Sequence, residues 1–166
     1  MPRDQWEALV RGEGCPLCHE VALEAHAHAE GYMVADLGIS RLRLATNQAL
    51  PGYCVLICKQ HVREPHDLSP AEQQVFFADM MRVGKALDQA FGAVKLNFEL
   101  LGNAVPHLHC HILPRYYGDA GPGMLFSLHE QQLLLAPQEY EERVGVIRAV
   151  LAAQETDERT SAEPSS

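Results

Sequence analysis

Residues 105–115 read "VPHLHCHILPR" and carry three histidines, at positions 107, 109 and 111. The positions between them hold leucine and cysteine, so polar and apolar side chains alternate. Such alternation predicts a β-strand, because successive side chains of a strand point to opposite faces. Side chains on the same face of a strand lie about 6.5–7 Å apart. The stretch therefore predicts a row of three imidazoles on one face and apolar core on the other.

Further strands are predicted at residues 32–37, 41–46, 53–58 and 93–102, where β-branched and alternating residues lie between turn signals. The short connection between the last of these and the histidine strand predicts antiparallel neighbours. A long central helix is predicted over residues 67–91, with Ser69, Pro70 and Glu72 forming its capping signal. A C-terminal helix begins near Pro137. The pattern favours an α+β fold with a mainly antiparallel sheet of about five strands.

The length of 166 residues suits one domain, predicted here as residues 1–153. From Gln154 the chain is polar and rich in small residues, which predicts a disordered tail over residues 154–166. Residues 20–31, "EVALEAHAHAEG", have helical composition and are predicted as a helix that ends at Gly31. The glycine-containing stretch at 121–127 is predicted to be a flexible loop beside the functional site.

Composition excludes several classes of protein. The formal net charge is −9 and there is no block of lysine or arginine, so we expect no binding to long nucleic acid. Small phosphorylated ligands remain compatible with an acidic chain, because one pocket can be locally positive. No run approaches the roughly 18 apolar residues of a membrane span, so no membrane partner is expected. The N-terminus lacks the apolar segment of a secretory signal, which favours the cytoplasm.

The row of histidines suits two-step group transfer, because a neutral imidazole is a good nucleophile and leaves well when protonated. A phosphorus atom is the target that fits best, since its oxygens need several hydrogen-bond donors at once. His109 is the expected nucleophile, because it has a donor on either side. Two alternatives are a half-buried strand with three satisfied histidines and a zinc-dependent hydrolase. In the second, rings about 7 Å apart would have to converge on one ion.

The five cysteines fall into two groups. Cys54, Cys58 and Cys110 lie in apolar strands and are interpreted as small buried hydrophobic residues. Cys15 and Cys18 form a C-x-x-C pair in "GCPLCHE", which in a reducing compartment indicates a metal site that needs two further ligands. The candidates for those two ligands are His61, His66, His107, and the local pair His26 and His28.

The segment "HLHCHIL" fits the alternating signature of the histidine triad superfamily. The longer stretch "KLNFELLGNAVPHLHCHILPRY" resembles the bacterial dinucleoside-polyphosphate-hydrolase-like branch of that superfamily, and the likeness covers about residues 32–117. The resemblance implies the superfamily's fold, a homodimer and a nucleotide hydrolase or nucleotidyl transferase. Its reaction would cleave at the α-phosphorus of a nucleoside phosphoramidate or dinucleoside polyphosphate through a covalent nucleotidyl-histidine. The alternative is a catalytically weak nucleotide-binding module that acts through partner proteins.

The resemblance also implies roles for individual residues. The catalytic set would be His107, His109 as nucleophile and His111 as donor to the α-phosphate. One departure is Ala104, which stands where many members carry a serine or threonine hydroxyl, and it puts the identity of the substrate in doubt. The implied nucleotide and phosphate contacts are Asn47, Asn97, Gly102, Asn103 and Arg115.

A related branch of the superfamily implies a structural zinc ion, because there a C-x-x-C pair joins two histidines. Carried over to this chain, the ligands are Cys15, Cys18, His61 and His107. His61 is preferred over His66 because it occupies the place of the histidine in the family's P-K-x-H motif. Four protein ligands would close the site and leave no position for substrate.

Overall fold

The computed structural model describes residues 1–23, 27–28, 31–119 and 131–162. The helices are α1 (Arg3–Val10), α2 (Pro16–Ala22), α3 (Pro70–Phe91) and α4 (Pro137–Ala162), with a short 3-10 helix at Pro65–Asp67. The strands are β1 (Ala27–His28), β2 (Gly31–Asp36), β3 (Ser40–Ala45), β4 (Cys54–Cys58), β5 (Lys95–Glu99) and β6 (His109–Arg115).

Within the described residues the strands form one sheet in the order β1-β2-β3-β4-β6-β5, and every neighbouring pair is antiparallel. The predicted α+β class is confirmed, with five longer strands and the two-residue β1 at one edge. The predicted antiparallel pairing of β5 with β6 is also confirmed. Strand β4 is buried along its whole length because it lies between β3 and β6.

The two faces of the sheet have different partners. On one face, Cys110 and Ile112 of β6 belong to a large core with residues of α3 and α4. Cys54, Cys58 and Cys110 are all free and buried there, as predicted for small hydrophobic residues. The opposite face carries His109 and His111, and its buried residues form a smaller cluster with the C-x-x-C segment. The functional side chains therefore lie on the face away from the two long helices.

Helix α3 begins where the capping signal places it. The Ser69 hydroxyl accepts a hydrogen bond from the backbone N–H of Glu72, and the Glu72 carboxylate accepts one from the backbone N–H of Ser69. Gly92 ends the helix in the left-handed conformation, at φ 62°, which a glycine adopts without strain. The capping box predicted from the sequence is confirmed.

Two predicted element boundaries are wrong. The helix predicted over residues 20–31 ends at Ala22, and Ala27–His28 pair with β2 as strand β1. Pairing at the open edge of the sheet satisfies backbone groups there, and this tertiary effect outweighs a helical composition. The loop predicted at 121–127 lies outside the described residues, as does the ligand candidate His26.

The C-terminal boundary also differs from the prediction. A disordered tail was predicted to begin at Gln154, but α4 continues to Ala162. Gln154 is buried and donates a hydrogen bond to Gln89 of α3, and Arg82 of α3 forms an ion pair with Glu155. These contacts with α3 order polar residues that would remain unfolded alone. No helix within the described ranges is long and apolar enough to cross a membrane.

Candidate active site and metal centre

The first histidine of the opening motif lies just before the strand that carries the other two. Strand β6 begins at His109, and His107 precedes it in a turn where the backbone N–H of His107 bonds to the Val105 carbonyl. His109 and His111 lie opposite Ile57 and Val55 of β4. The predicted strand is therefore shorter at its start, and His107 belongs to the preceding turn. The turn directs the His107 ring, which is fully buried, towards the C-x-x-C segment.

Four potential ligands come together at the edge of this sheet face. The ligand atoms of Cys15, Cys18, His61 and His107 all lie within 4.8 Å of one another. The His107 Nδ1 atom is 3.4 Å from the Cys15 Sγ and 3.5 Å from the Cys18 Sγ, and the His61 Nδ1 atom is 3.2 Å from the Cys18 Sγ. Tetrahedral zinc with nitrogen at about 2.0 Å and sulfur at about 2.3 Å has edges of about 3.3–3.8 Å. The cluster can bind a metal ion.

The protonation of the two cluster histidines supports the same conclusion. The His107 Nε2 lies 2.8 Å from the Cys58 carbonyl, and the His61 Nε2 lies 3.1 Å from the Val10 carbonyl. A carbonyl only accepts hydrogen bonds, so each Nε2 carries the proton and each Nδ1 presents a lone pair. The two Nδ1 atoms face each other at 3.2 Å. Two facing lone pairs repel unless a cation lies between them, and ligating histidines are commonly held through their other nitrogen in this way.

Of the other histidine candidates, His66 lies outside this cluster. The side chain of His66 is 77% exposed and lies 3.8 Å from Asp67. His28 pairs with Gly31 as part of β1, and its side chain is outside the described part of the chain.

Burial raises the pKa of the Cys18 thiol to about 11. A bound cation counteracts this effect, because it favours the thiolate form.

His109 and His111 line a pocket of about 290 Å³ on the open part of the face. Their ring centroids are 5.0 Å apart and the rings are nearly perpendicular, at 76°. This is closer than the predicted strand spacing, because the rings lean together. The remaining lining residues are Leu17, Arg43, Ala45, Thr46, Asn47, Tyr53, Val55, Val105 and Gln132.

The environment of His109 leaves one nitrogen free for chemistry. Its Nδ1 lies 2.6 Å from the backbone carbonyl of His107, so Nδ1 carries the proton and donates. Burial lowers the pKa of His109, which keeps the ring neutral near pH 7. The Nε2 atom then holds a lone pair and has no hydrogen-bond partner within the described residues. His109 can act as a nucleophile through Nε2.

His111 is also neutral. Burial, followed by the charges of His109 and Arg43, lowers its pKa to about 4. Its Nδ1 lies 2.6 Å from the hydroxyl of Tyr53. The carboxylate-bearing Glu99 of β5 is opposite His111 in register, and burial raises the pKa of Glu99.

The predicted nucleotide contacts separate into two groups. Asn47 lines the pocket, and its side chain also bonds to the backbone at Gln131 and Leu133. Gly102 lines a shallow pocket together with His107 and His109. The structure therefore brings Asn47 and Gly102 to the histidines.

The other three predicted contacts lie elsewhere on or beside the sheet. Arg115 is buried, forms an ion pair with Asp119 at 2.7 Å and donates to Asn97 at 2.9 Å. Asn103 is exposed in the turn before the first histidine. The described lining of the 290 Å³ pocket includes none of Asn97, Asn103 and Arg115.

Tyr53 and Arg43 are among the polar pocket residues that the sequence did not identify. Tyr53 immediately precedes β4 and lies on the same face of the sheet as Val55. Since residues two apart on a strand share a face, this spacing could have identified Tyr53 as a pocket residue. Arg43 of β3 faces Val55 in register and forms a buried ion pair with Glu20 of α2. A charged residue inside an otherwise buried strand is the signal that could have identified Arg43.

The class of this protein is thus an α+β protein with an open antiparallel sheet that carries paired imidazoles and a Cys2His2 cluster. The family model described as the HIT domain matches residues 28–118, and the chain belongs to that family. A histidine triad protein from Bradyrhizobium japonicum has a similar structure, with 26% sequence identity and a TM-score of 0.68. That similarity covers 75% of this chain and 96% of the other.

Two further proteins are similar to this chain. The chain is 32% identical over 75 residues to the asymmetrical bis(5'-nucleosyl)-tetraphosphatase of Schizosaccharomyces pombe, covering 42% of this chain and 41% of the relative. The chain thus spans less than half the length of that enzyme. A Zn-bound histidine triad family protein from Mycobacterium smegmatis is 22% identical with a TM-score of 0.63, over 86% of this chain and 96% of the other. At this identity the likeness supports the fold alone.

Proposed function

We propose that this chain is a nucleotide hydrolase or nucleotidyl transferase that acts at the α-phosphorus of a nucleoside phosphoramidate or dinucleoside polyphosphate. The observation that carries the proposal is the His109 ring, which is neutral and has a free Nε2 beside His111 in a pocket. The lining combines apolar side chains such as Leu17 and Val105 with polar ones such as Asn47, which suits a nucleoside. The HIT domain match and the tetraphosphatase relative add support for the substrate class.

The proposed reaction has two steps. In the first, the His109 Nε2 lone pair forms a bond to the α-phosphorus, and the bond from phosphorus to the leaving group breaks with its electron pair. The leaving group takes up a proton, and the His109 Nδ1–H remains bonded to the His107 carbonyl as the ring becomes cationic. In the second step the water oxygen bonds to phosphorus, and the bond from phosphorus to Nε2 breaks with its electron pair returning to the ring. The water proton passes to solvent, so that a nucleoside monophosphate is released and the neutral ring is restored. An alcohol or amine in place of water would give transfer.

We propose that a zinc ion occupies the Cys15, Cys18, His61 and His107 cluster in a structural role. The donor set, two sulfurs and two lone-pair nitrogens, is the set that zinc prefers, and four protein ligands leave no open coordination position. The ion would hold α2 against the turn that precedes His109. His109 and His111 belong to no ligand cluster within the described residues, which argues against the alternative of a histidine row that binds a catalytic metal.

We also propose a homodimer in a reducing compartment, the cytoplasm. The five cysteines are free, and the two in the cluster must stay reduced to bind metal. The homodimer rests on the family resemblance alone. Light scattering on a sizing column tests it: a mass near twice 18.4 kDa is expected, and a mass of one chain would contradict it.

The test of function is turnover of a small panel: an adenosine phosphoramidate, a diadenosine polyphosphate and a nucleotide sugar. Wild type should release a nucleoside monophosphate from at least one of them, and a substrate labelled at the α-phosphorus should leave label on acid-quenched protein. The His109→Ala variant should do neither, whereas His66→Ala should match wild type. Nucleotide binding without turnover of any panel member would favour the binding-module alternative, in which Ala104 reflects lost catalysis.

A further inference from the structure

We propose that Tyr53 is a positioning residue that holds His111 in the tautomer with its proton on Nε2, so that His111 presents an N–H donor to the pocket. The proposal deepens the proposed function and rests on it for the effect on turnover. The tautomer itself is a property of the folded chain and is measurable without a substrate.

The phenol of Tyr53 is in direct contact with the imidazole ring of His111. The Tyr53 hydroxyl lies 2.6 Å from the His111 Nδ1, and Tyr53 is only 6% exposed. Its hydroxyl has no other hydrogen-bond partner among the described residues. A buried hydroxyl hydrogen needs an acceptor, and here the acceptor is Nδ1. If Nδ1 carried the proton, the phenol hydrogen would be buried without a partner, which costs free energy.

The phenol of Tyr53 is un-ionised at neutral pH. Burial raises the pKa of Tyr53 well above its usual range, so the hydroxyl keeps its hydrogen at neutral pH. A phenolate would instead accept a hydrogen bond from an Nδ1–H and select the opposite tautomer. The low pKa of His111 likewise keeps that ring neutral, with one proton and two nitrogens. With Nδ1 accepting from Tyr53, the ring proton is on Nε2.

The backbone around Tyr53 and His111 holds the two side chains in place. Tyr53 follows the Pro51–Gly52 turn, where Gly52 has a φ of 82°, and its backbone N–H bonds to the Leu50 carbonyl. Two residues later on the same face, Val55 pairs with His111 across the sheet. The two rings lie with centroids 5.9 Å apart at a tilt of 31°. Turn and register together fix the hydroxyl at Nδ1.

The two pocket histidines then have opposite roles. His109 donates from Nδ1 to the His107 carbonyl and presents a lone pair at Nε2. His111 accepts from Tyr53 at Nδ1 and presents an N–H at Nε2. Attack on phosphorus needs a nucleophile and a donor to the phosphoryl oxygens, side by side. Adjacent rings of one residue type supply both because their other nitrogens have different partners.

The decisive experiment is long-range ¹H–¹⁵N NMR of metal-loaded protein labelled at histidine, at neutral pH. The His111 signals are assigned by their loss in His111→Asn. In wild type we expect a protonated-type shift at Nε2 and an unprotonated-type shift at Nδ1. In Tyr53→Phe, the Nδ1 signal should move and the two tautomers should mix. Protonated-type Nδ1 in wild type would overturn the proposal.

The matched control is Tyr32→Phe, which removes a tyrosine hydroxyl on the opposite face of the sheet, where the Tyr32 ring stacks on Tyr140 with centroids 4.4 Å apart. It should leave the His111 shifts unchanged. With a panel substrate that wild type turns over, Tyr53→Phe should lower kcat by about 10- to 100-fold with a smaller change in KM, and Tyr32→Phe should stay near wild type. Equal shifts and kcat values in wild type and Tyr53→Phe would overturn the proposal. If wild type has the expected His111 tautomer but turns over no panel substrate, only the proposed function is overturned.

Discussion

The metal cluster and the pocket use the same side chain in opposite ways. In the cluster, His61 and His107 each donate from Nε2 to a backbone carbonyl, so that both Nδ1 lone pairs converge. In the pocket, His109 donates from Nδ1 to a carbonyl, which frees Nε2. His107 and His109 are two residues apart in the sequence. The comparison teaches that the partner of the second ring nitrogen selects the chemistry of an imidazole, whatever its place in a motif.

The largest effect separates the pocket from the cluster. His109→Ala should lower turnover by about 10⁴-fold or more, equivalent to about 5.5 kcal/mol of transition-state stabilisation, because it removes the proposed nucleophile. Its metal content and free energy of unfolding should stay close to those of wild type, since the ring lies outside the cluster. Single-turnover kinetics, metal analysis and denaturant unfolding measure the three quantities. Loss of metal in this variant would show that the pocket and the cluster are coupled, and would contradict their separate roles.

His107→Ala should have the opposite profile. It removes a fully buried ligand, so bound metal should be lost and the free energy of unfolding should fall by on the order of 5 kcal/mol, because metal binding contributes to folding. Metal analysis and denaturant unfolding test this. The control is His66→Ala, an exposed histidine outside the cluster, which should keep both metal and stability. Metal loss in His66→Ala with retention in His107→Ala would contradict the ligand assignment.

A pH experiment sharpens the description of the pocket. The pKa of His111 is about 4 in the folded chain, and an unfolded histidine titrates near pH 6.5. Between these values the unfolded chain binds more protons, so stability should fall as the pH drops from about 6.5 towards about 4. One group contributes at most about 1.4 kcal/mol per pH unit. The groups around His111 are His109, Arg43, Tyr53 and Glu99.

Denaturant unfolding at several pH values, for wild type and His111→Asn, measures this contribution. The variant should lose less stability than wild type over the same acid range, because one depressed pKa has been removed. His66→Asn should keep the wild-type slope, since its ring is exposed. Equal slopes in wild type and His111→Asn would show that His111 titrates alike in the folded and unfolded chain.

The smallest effect lies on the other face of the sheet. Ser69→Ala removes the side-chain cap of α3 and should cost about 1 kcal/mol of stability. Metal content and turnover should not change, because α3 packs against the face opposite the histidines. Thermal unfolding, metal analysis and kinetics check this. A change in kcat would mean that the two faces are coupled.

Much of this fold follows from local patterns. Period-2 alternation predicted the longer strands, and Ser69 with Glu72 marked the start of α3. The C-x-x-C spacing indicated a metal site, but spacing left several histidines as candidate partners. The resemblance narrowed them to His61 and His107, and the structure brings these two to the cysteines. Local composition failed at residues 20–31 and from Gln154, where pairing with β2 and packing on α3 outweigh propensity.

The sequence by itself determines which chemical groups the chain has and how they are spaced: imidazoles at alternate positions, a thiol pair, and strands with one apolar face. Residue order does not state where each imidazole points, because the turn at His107 depends on contacts with β4 and the C-x-x-C segment. It also does not reveal Tyr53 as the partner of His111, since 58 residues separate them. Side-chain chemistry and period are local properties. Ring tautomers and ligand convergence depend on atoms that only folding brings within hydrogen-bond distance.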